Sequence, residues 1–255
     1  MESTFGITAK PPRFTSSLLP APEERVVATA VHYPESDGQP MGETEQHINA
    51  IMYLYQALKY FLRQAESIYA AANMLFYYEE GNPAAVVVPD AFVVKGTSKH
   101  LRRTFKLWEE KVAPCVVFEI TSSSTRLEDL GGKRALYEML GVREYFLFDP
   151  LGEYLSPQLQ GFRLEGAYFQ PLELSPEGTF FSQELGLILR PQGSLLRLAD
   201  PETGQALPTL DEAVDLALAE MERAQVEAER ADAAEAELAR LRAELERLRH
   251  QANQS

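Results

Sequence analysis

Residues 115–125 read CVVFEITSSST, an apolar run that predicts a buried strand and carries one ionisable side chain, Glu119, in its middle. Burying a carboxylate costs several kcal/mol unless a partner, a proton or a metal answers it. The sequence on either side therefore has to supply that answer. Upstream, the run AAVVVPDAFVV (residues 84–94) sets Asp90 among β-branched and aromatic residues in the same way, and predicts a neighbouring strand. Two such strands side by side bring the carboxylates together. Like charges at short range raise each other's pKa and destabilise a fold unless a cation neutralises them. Oxygen ligands of this kind suit Mg2+ or Mn2+, held by one or two carboxylates together with waters and substrate phosphate. Taken singly, Asp90 after Pro89 also reads as a turn residue and Glu119 as half of a salt bridge; taken together on adjacent strands they read as a metal site.

Downstream, Thr125-Arg126-Leu127-Glu128 matches a capping box, and the pattern that follows predicts a helix to about Leu140, stopped at Gly141. Asp129, Lys133 and Tyr137 are spaced by four and share one face of it. A lysine beside a metal site can orient a nucleophile or stabilise charge on a phosphoryl oxygen. The simpler reading of Asp129 and Lys133 is an i, i+4 ion pair worth a few tenths of a kcal/mol. REYFLFDP (143–150) predicts the next strand. Before the carboxylates, GETEQHINAIMYLYQALKYFLRQ (42–64) is helical, with Ile51, Leu54, Leu58 and Leu62 on one face. Counting back by fours from Ile51 gives His47 and Glu43, which the same spacing aims toward the core. SIYAAANMLFYY (67–78) and the Asp90 run predict strands joined by a hairpin through Gly81, Asn82 and Pro83.

At these residues the chain resembles the PD-(D/E)XK nuclease superfamily: Pro89-Asp90 is followed 29 positions later by Glu119. More closely, VPDAFVVKG, PCVVFEITSSSTRLEDLGGKRALYEMLGVREYFLFDP and LSPQLQGFRL are similar to the Uma-two family of restriction-type endonucleases, over most of residues 36–250. The resemblance implies an α/β fold with a restriction endonuclease-like mixed sheet flanked by helices. It also implies Mg2+-dependent hydrolysis of DNA phosphodiesters, with Asp90, Glu119 and the Ile120 carbonyl as metal ligands. Where the superfamily's lysine stands, two residues after the acid, this chain has Thr121, so Lys133 is the candidate for a lysine relocated to the helix. Glu43 fits the Glu that many members add from the first helix, with His47 and Tyr137 as accessory groups. A rival expectation is a silent nuclease fold that binds nucleic acid or protein.

Between the carboxylates, KGTSKHLRRTFKLWEEK (95–111) has six basic against two acidic residues in a chain of net charge −14. Lys95, Lys99, Arg102 and Arg103 are thus the candidates for gripping a nucleic-acid backbone; a solvated loop is the equal alternative. Elsewhere the acidic balance argues against a generic nucleic-acid coat.

The domain expectation is an arm over residues 1–41, a nuclease-like domain over 42–209 with β-hairpins after Leu151, and a coiled-coil helix over 210–250. That last segment lacks Gly and Pro up to Arg249 and repeats Leu210, Ala217, Ala224, Ala231, Leu238 and Leu245 every seven residues. Its partner position shifts from Val214, Met221 and Ala228 to Ala234, Leu241 and Leu248, a coiled coil with a phase slip that predicts a homodimer. The single cysteine, Cys115, fits a reducing compartment. No apolar run approaches a membrane span and no signal-like start is seen, so the expectation is a cytoplasmic protein without a membrane partner.

Overall fold

The chain's longest apolar runs build one six-stranded sheet, but two of them break on the way and give part of their length to a small three-stranded sheet. In the computed structural model, which describes residues 31–36 and 43–253, the first of these becomes β1 (Ile68–Ala72) and β2 (Phe76–Tyr77), and the second becomes β3 (Val86–Val87) and β4 (Ala91–Lys95). Asn73, with φ 47°, turns the first run, and its N–H donates to the carbonyls of Pro89 and Asp90 in the gap of the second. Asn tolerates this left-handed conformation better than most residues. Pro89 has no N–H to offer a sheet. Both strands of the hairpin therefore bend at one level: β1 pairs with β4, and β2 with β3 around the turn at Gly81, Asn82 and Pro83. Asp90 accordingly stands in the bend immediately before β4, not inside a strand as the apolar run suggested.

The chain continues through β5 (Phe105–Lys106), the short helix α2 (Leu107–Glu110) and β6 (Val116–Ile120), which carries Glu119. The first helix, α1 (Glu45–Phe61), precedes all of these. β6 is parallel to β7 (Glu144–Phe148), and parallel neighbours require a crossover. Here it is α3 (Arg126–Glu128), a π-helical turn over Asp129–Lys133, and α4 (Arg134–Met139), ending at Gly141 with φ 77°. The capping box expected at Thr125 does not form. Thr125 already has helical φ and ψ, and its hydroxyl accepts from the Ser122 N–H instead. β8 (Leu159–Glu165) and β9 (Tyr168–Pro171) complete the order β1-β4-β6-β7-β8-β9. β10 (Phe180–Ser182), β11 (Leu187–Gln192) and β12 (Leu195–Ala199) form a separate antiparallel sheet.

Alternation along the strands divides the core in two. Val116, Phe118 and Ile120 of β6 face α1 and the β10–β12 sheet, in a layer that includes Leu54, Leu58, Phe146 and Leu187. Val117 faces the other way, toward Tyr137, Tyr145 and Phe92, and by strand alternation so does Glu119. On the first face Gly161 of β8 lies opposite Phe146. A Cβ at Gly161 would stand 3.0 Å from the Phe146 ring and 3.1 Å from that of Phe180. Gly161→Ala is expected to cost about 1–3 kcal/mol by overpacking, read as a lower urea midpoint with an unchanged m-value. An unchanged midpoint would mean that the aromatic stack yields freely.

The final helix, α5 (Leu210–Ala252), opens with a true capping box. Thr209 Oγ1 accepts from the Glu212 N–H, and the Glu212 carboxylate accepts from the Thr209 N–H. Glu212 also pairs with Arg197 at 2.6 Å, tying the helix start to β12. Among the described residues no helix is long and apolar enough to cross a membrane. Most of the expected N-terminal arm lies outside the described residues; Val31, His32 and Tyr33 are not in a strand.

Candidate active site

Four chain segments converge at the end of β6. Extending the β4–β6 register of Ala91 with Phe118 by one residue sets Asp90 opposite Glu119. The Ile120 N–H donates to Asp90 Oδ2 at 2.7 Å, which holds the bend against the strand. Glu119 has no solvent exposure. Lys133 Nζ donates to its Oε2 at 2.9 Å and the Tyr137 hydroxyl to its Oε1 at 2.6 Å. The fourth segment is the start of α1, where His47 is buried, with Nε2 3.8 Å from Asp90 Oδ1 and Nδ1 3.7 Å from Glu43 Oε2. Thr44 caps α1, so Glu43 lies just before the helix and reaches the site through His47, not from the helical face as counting by fours suggested.

Asp129 joins them. Its carboxylate is buried and Lys133 Nζ lies 3.0 Å from its Oδ1. That contact is ionic and off-axis, and neither oxygen of Asp129 receives a hydrogen bond. The π turn contributes by widening the helix here; the Asp129 carbonyl accepts from the Tyr145 hydroxyl at 2.9 Å, a side-chain partner for a backbone group near the irregular turn. Sequence spacing had placed Asp129 on the face of Lys133 and Tyr137, but only as an ion-pair partner.

The electrostatics follow from three carboxylates around one lysine. Burial, reinforced by Asp90 and Asp129, holds the Glu119 carboxyl well above the usual carboxylate range although Lys133 opposes it. Burial likewise raises Asp129. Lys133 is raised too: burial disfavours its charge, but Glu119, Asp129 and Asp90 outweigh that. For His47, burial lowers and Asp90 with Glu43 and Asp129 raises, with a net rise. The whole cluster is short of positive charge.

The donor set fits a hard divalent cation. Asp90 Oδ1 has only the distant His47, and the Asp129 oxygens, although Lys133 lies beside them, receive no well-aligned hydrogen bond. Among the described residues no three His, Cys, Asp or Glu side chains are spaced to hold a metal ion by themselves.

The basic segment does not come to this site. Lys95 is five residues along β4 from Asp90, about 16 Å at strand rise, and pairs with Glu184 at 2.9 Å. Lys99 donates to the carbonyls of Leu62 and Arg63 at the end of α1. Arg102 has a 3% exposed side chain, pairs with Glu110 at 2.6 Å and lies over the Tyr69 ring. Arg103, exposed, pairs with Glu35. The charge count was right, but internal carboxylates and carbonyls occupy these cations, so they do not form a free cationic strip. Cys115 lies at the opposite end of β6, where burial pushes its thiol up to about 11.

A mixed sheet crossed by helices, with carboxylates at adjacent strand ends and a helix-borne lysine on one of them, defines a restriction endonuclease-like nuclease fold. The family model described as "Uma2: Putative restriction endonuclease" matches residues 24–192, and the chain belongs to that family. Among solved structures it is similar to one described as a "putative nuclease belonging to DUF820 from Anabaena variabilis ATCC 29413", at 14% identity and a TM-score of 0.42, covering 57% of this chain and 76% of that one. No curated protein matches the chain.

Proposed function

We propose that the protein is a metal-dependent endonuclease that hydrolyses DNA phosphodiesters at the Asp90–Glu119 site. The observation that supports this reading is the surplus of carboxylate: Glu119 and Asp129 share one lysine while Asp90, opposite Glu119, has only His47 near its Oδ1. Asp90 and Glu119, with the Ile120 carbonyl, would hold Mg2+ or Mn2+. When bound, such an ion supplies Lewis-acid stabilisation of the phosphoryl oxygens and lowers the pKa of a bound water. The protein's own part is to fix Asp90 through the Ile120 N–H and Glu119 through Tyr137, and to keep Lys133 protonated beside the phosphoryl charge. Glu43 acts through His47, orienting the imidazole toward Asp90. Two copies joined by α5 would present one site to each strand of a duplex.

The test is supercoiled plasmid with Mg2+ or Mn2+. Asp90→Asn and Glu119→Gln should each lower cleavage about a thousandfold, the loss of several kcal/mol of transition-state stabilisation. Cleavage that persists without metal, or in both variants, would sink the reading. One observation favours a silent scaffold instead: Glu119 is wholly buried, with both oxygens already hydrogen-bonded. Calorimetry with Mn2+ separates the two, because a silent fold gives no heat that depends on Asp90 and Glu119.

A further inference from the structure

α5 exposes a row of leucines with no counterpart in the folded unit: Leu238, Leu241, Leu245 and Leu248 are each about half exposed. From Leu210 to Ala231 the apolar positions 210, 214, 217, 221, 224, 228 and 231 are spaced by four and then three. From Ala231 the order inverts, to 231, 234, 238, 241, 245, 248 and 252. Ala231 thus changes from the second seam position to the first, and a new heptad phase begins there.

In that phase the residues flanking the seam are Arg230, Glu237 and Glu244 on one side and Glu235, Arg242 and Arg249 on the other. When two identical helices run parallel and in register, each residue of the first set faces, on the other helix, the flanking residue five positions later. The facing pairs are then Arg230 with Glu235, Glu237 with Arg242, and Glu244 with Arg249. All are opposite in sign, and each occurs twice by symmetry. Running antiparallel, like flanks face one another: the register that sets Glu237 against Glu244 gains only Glu235 with Arg242, and a slide of one heptad sets Glu244 and Arg242 each against its own copy. Within its own helix Glu237 has only a 4.0 Å contact with Arg240, which leaves it able to turn across the seam. The phase before Ala231 lacks this pattern: there Glu227 would face Asp232.

We infer that residues 230–252 form a parallel, in-register zipper with the same segment of a second copy of this chain. This deepens the dimer of the proposed function. Its consequence for cleavage rests on that reading, whereas the pairing does not. The Thr209 cap and the Arg197–Glu212 ion pair fix the start of α5 to its own domain, so a parallel pair puts both domains at one end of the coil. An antiparallel pair would put them at opposite ends of a 43-residue helix, about 65 Å apart at 1.5 Å per residue.

The experiment uses the full chain. Ala252→Cys places a thiol at the last seam position without disturbing a leucine, and the buried Cys115 does not compete. Mild oxidation should convert the variant to a disulfide-linked dimer, with sedimentation equilibrium showing a dimer before oxidation. A monomer, or a dimer that does not cross-link, overturns the inference. A second measurement reads the charges. Glu237→Arg with Glu244→Arg in one chain, and Arg242→Glu with Arg249→Glu in another, should each weaken self-association at least about tenfold, while the two mixed should recover it as a heterodimer. Variants that still self-associate like the parent, or fail to recover on mixing, exclude the proposed pairing. Because neither measurement reads cleavage, an inactive enzyme leaves the result intact.

Discussion

Lys133→Met is expected to lower stability by about 3–5 kcal/mol at pH 8, because the lysine is the cation that answers two buried carboxylates, and removing one partner of a buried pair strands the other. Glu119 and Asp129 both contact its Nζ, at 2.9 and 3.0 Å. The deficit should depend on pH in a definite direction. Burial holds both carboxyls above their ordinary values, so each binds its proton more tightly in the fold than in the unfolded chain. Their contribution to stability is fully present below the unfolded carboxyl range, near pH 4, and is lost as pH rises through the folded values. Without the ammonium that opposes the rise, those folded values climb further, and the charged forms are penalised more at neutral pH. Lys133 itself stays protonated in both states over this range, since its pKa is raised from 10.5. Urea denaturation of the parent and the variant at pH 8 and pH 4.5 should therefore show a gap that narrows on acidification. A gap independent of pH would mean that the lysine stem only fills space. The same variant should also lose plasmid cleavage.

A comparable loss, about 3–5 kcal/mol, is expected from Glu144→Ala, at the far end of the sheet from the carboxylate site. Glu144 opens β7 and is 1% exposed. Its carboxylate takes Arg163 at 2.9 and 3.2 Å, the Gln183 N–H at 2.9 Å, the Glu184 N–H at 3.3 Å, and the Ser182 hydroxyl. One side chain thereby joins β8 of the main sheet to the end of β10 in the second sheet. Truncating it leaves the buried Ser182 hydroxyl and two part-buried amides without their acceptor and strands the Arg163 charge, and a buried group so left costs about 1–3 kcal/mol. Hydrogen exchange should show the protection loss concentrated in β10–β12, with the β4–β6 ladder less affected. A variant within about 0.5 kcal/mol of the parent would show that water replaces the carboxylate there, as at an ordinary surface position.

Both predictions concern carboxylates in apolar strands, yet the sequence distinguished them poorly. Glu119 stood out because its neighbours on both sides are apolar and because Asp90 repeats the motif on the adjacent strand. Glu144, in VREYFLF, follows an arginine at the strand's first position and reads as an ordinary charged strand start. Its donors lie 19 to 40 residues away, brought in by the β8 and β10 pairings. The basic segment shows the converse. Six cations in seventeen residues suggested an exposed grip, but Glu110, Glu184 and Glu35 pair with three of the four candidates, and the carbonyls of Leu62 and Arg63, just past α1, accept from the other.

What the sequence determined by itself is what short-range periodicity can carry. Ile51, Leu54 and Leu58 at helical spacing gave α1, short continuous apolar runs gave β4, β6 and β7, Gly141 gave the helix stop, and the heptads gave a tail with a phase change near Ala231. These depend on a residue's neighbours within a turn or a strand, where geometry is nearly fixed. Only the tertiary structure decided that Asn73 and Pro89 break two apolar runs at one level and set Asp90 in a bend; that Asp129 shares Lys133 with the buried Glu119 across a π turn; and that Glu43 comes to the site from before its helix through His47. The reason is physical: the cost of a buried charge is the same wherever it stands in the sequence, but the partner that offsets it is chosen by packing between elements far apart in the chain.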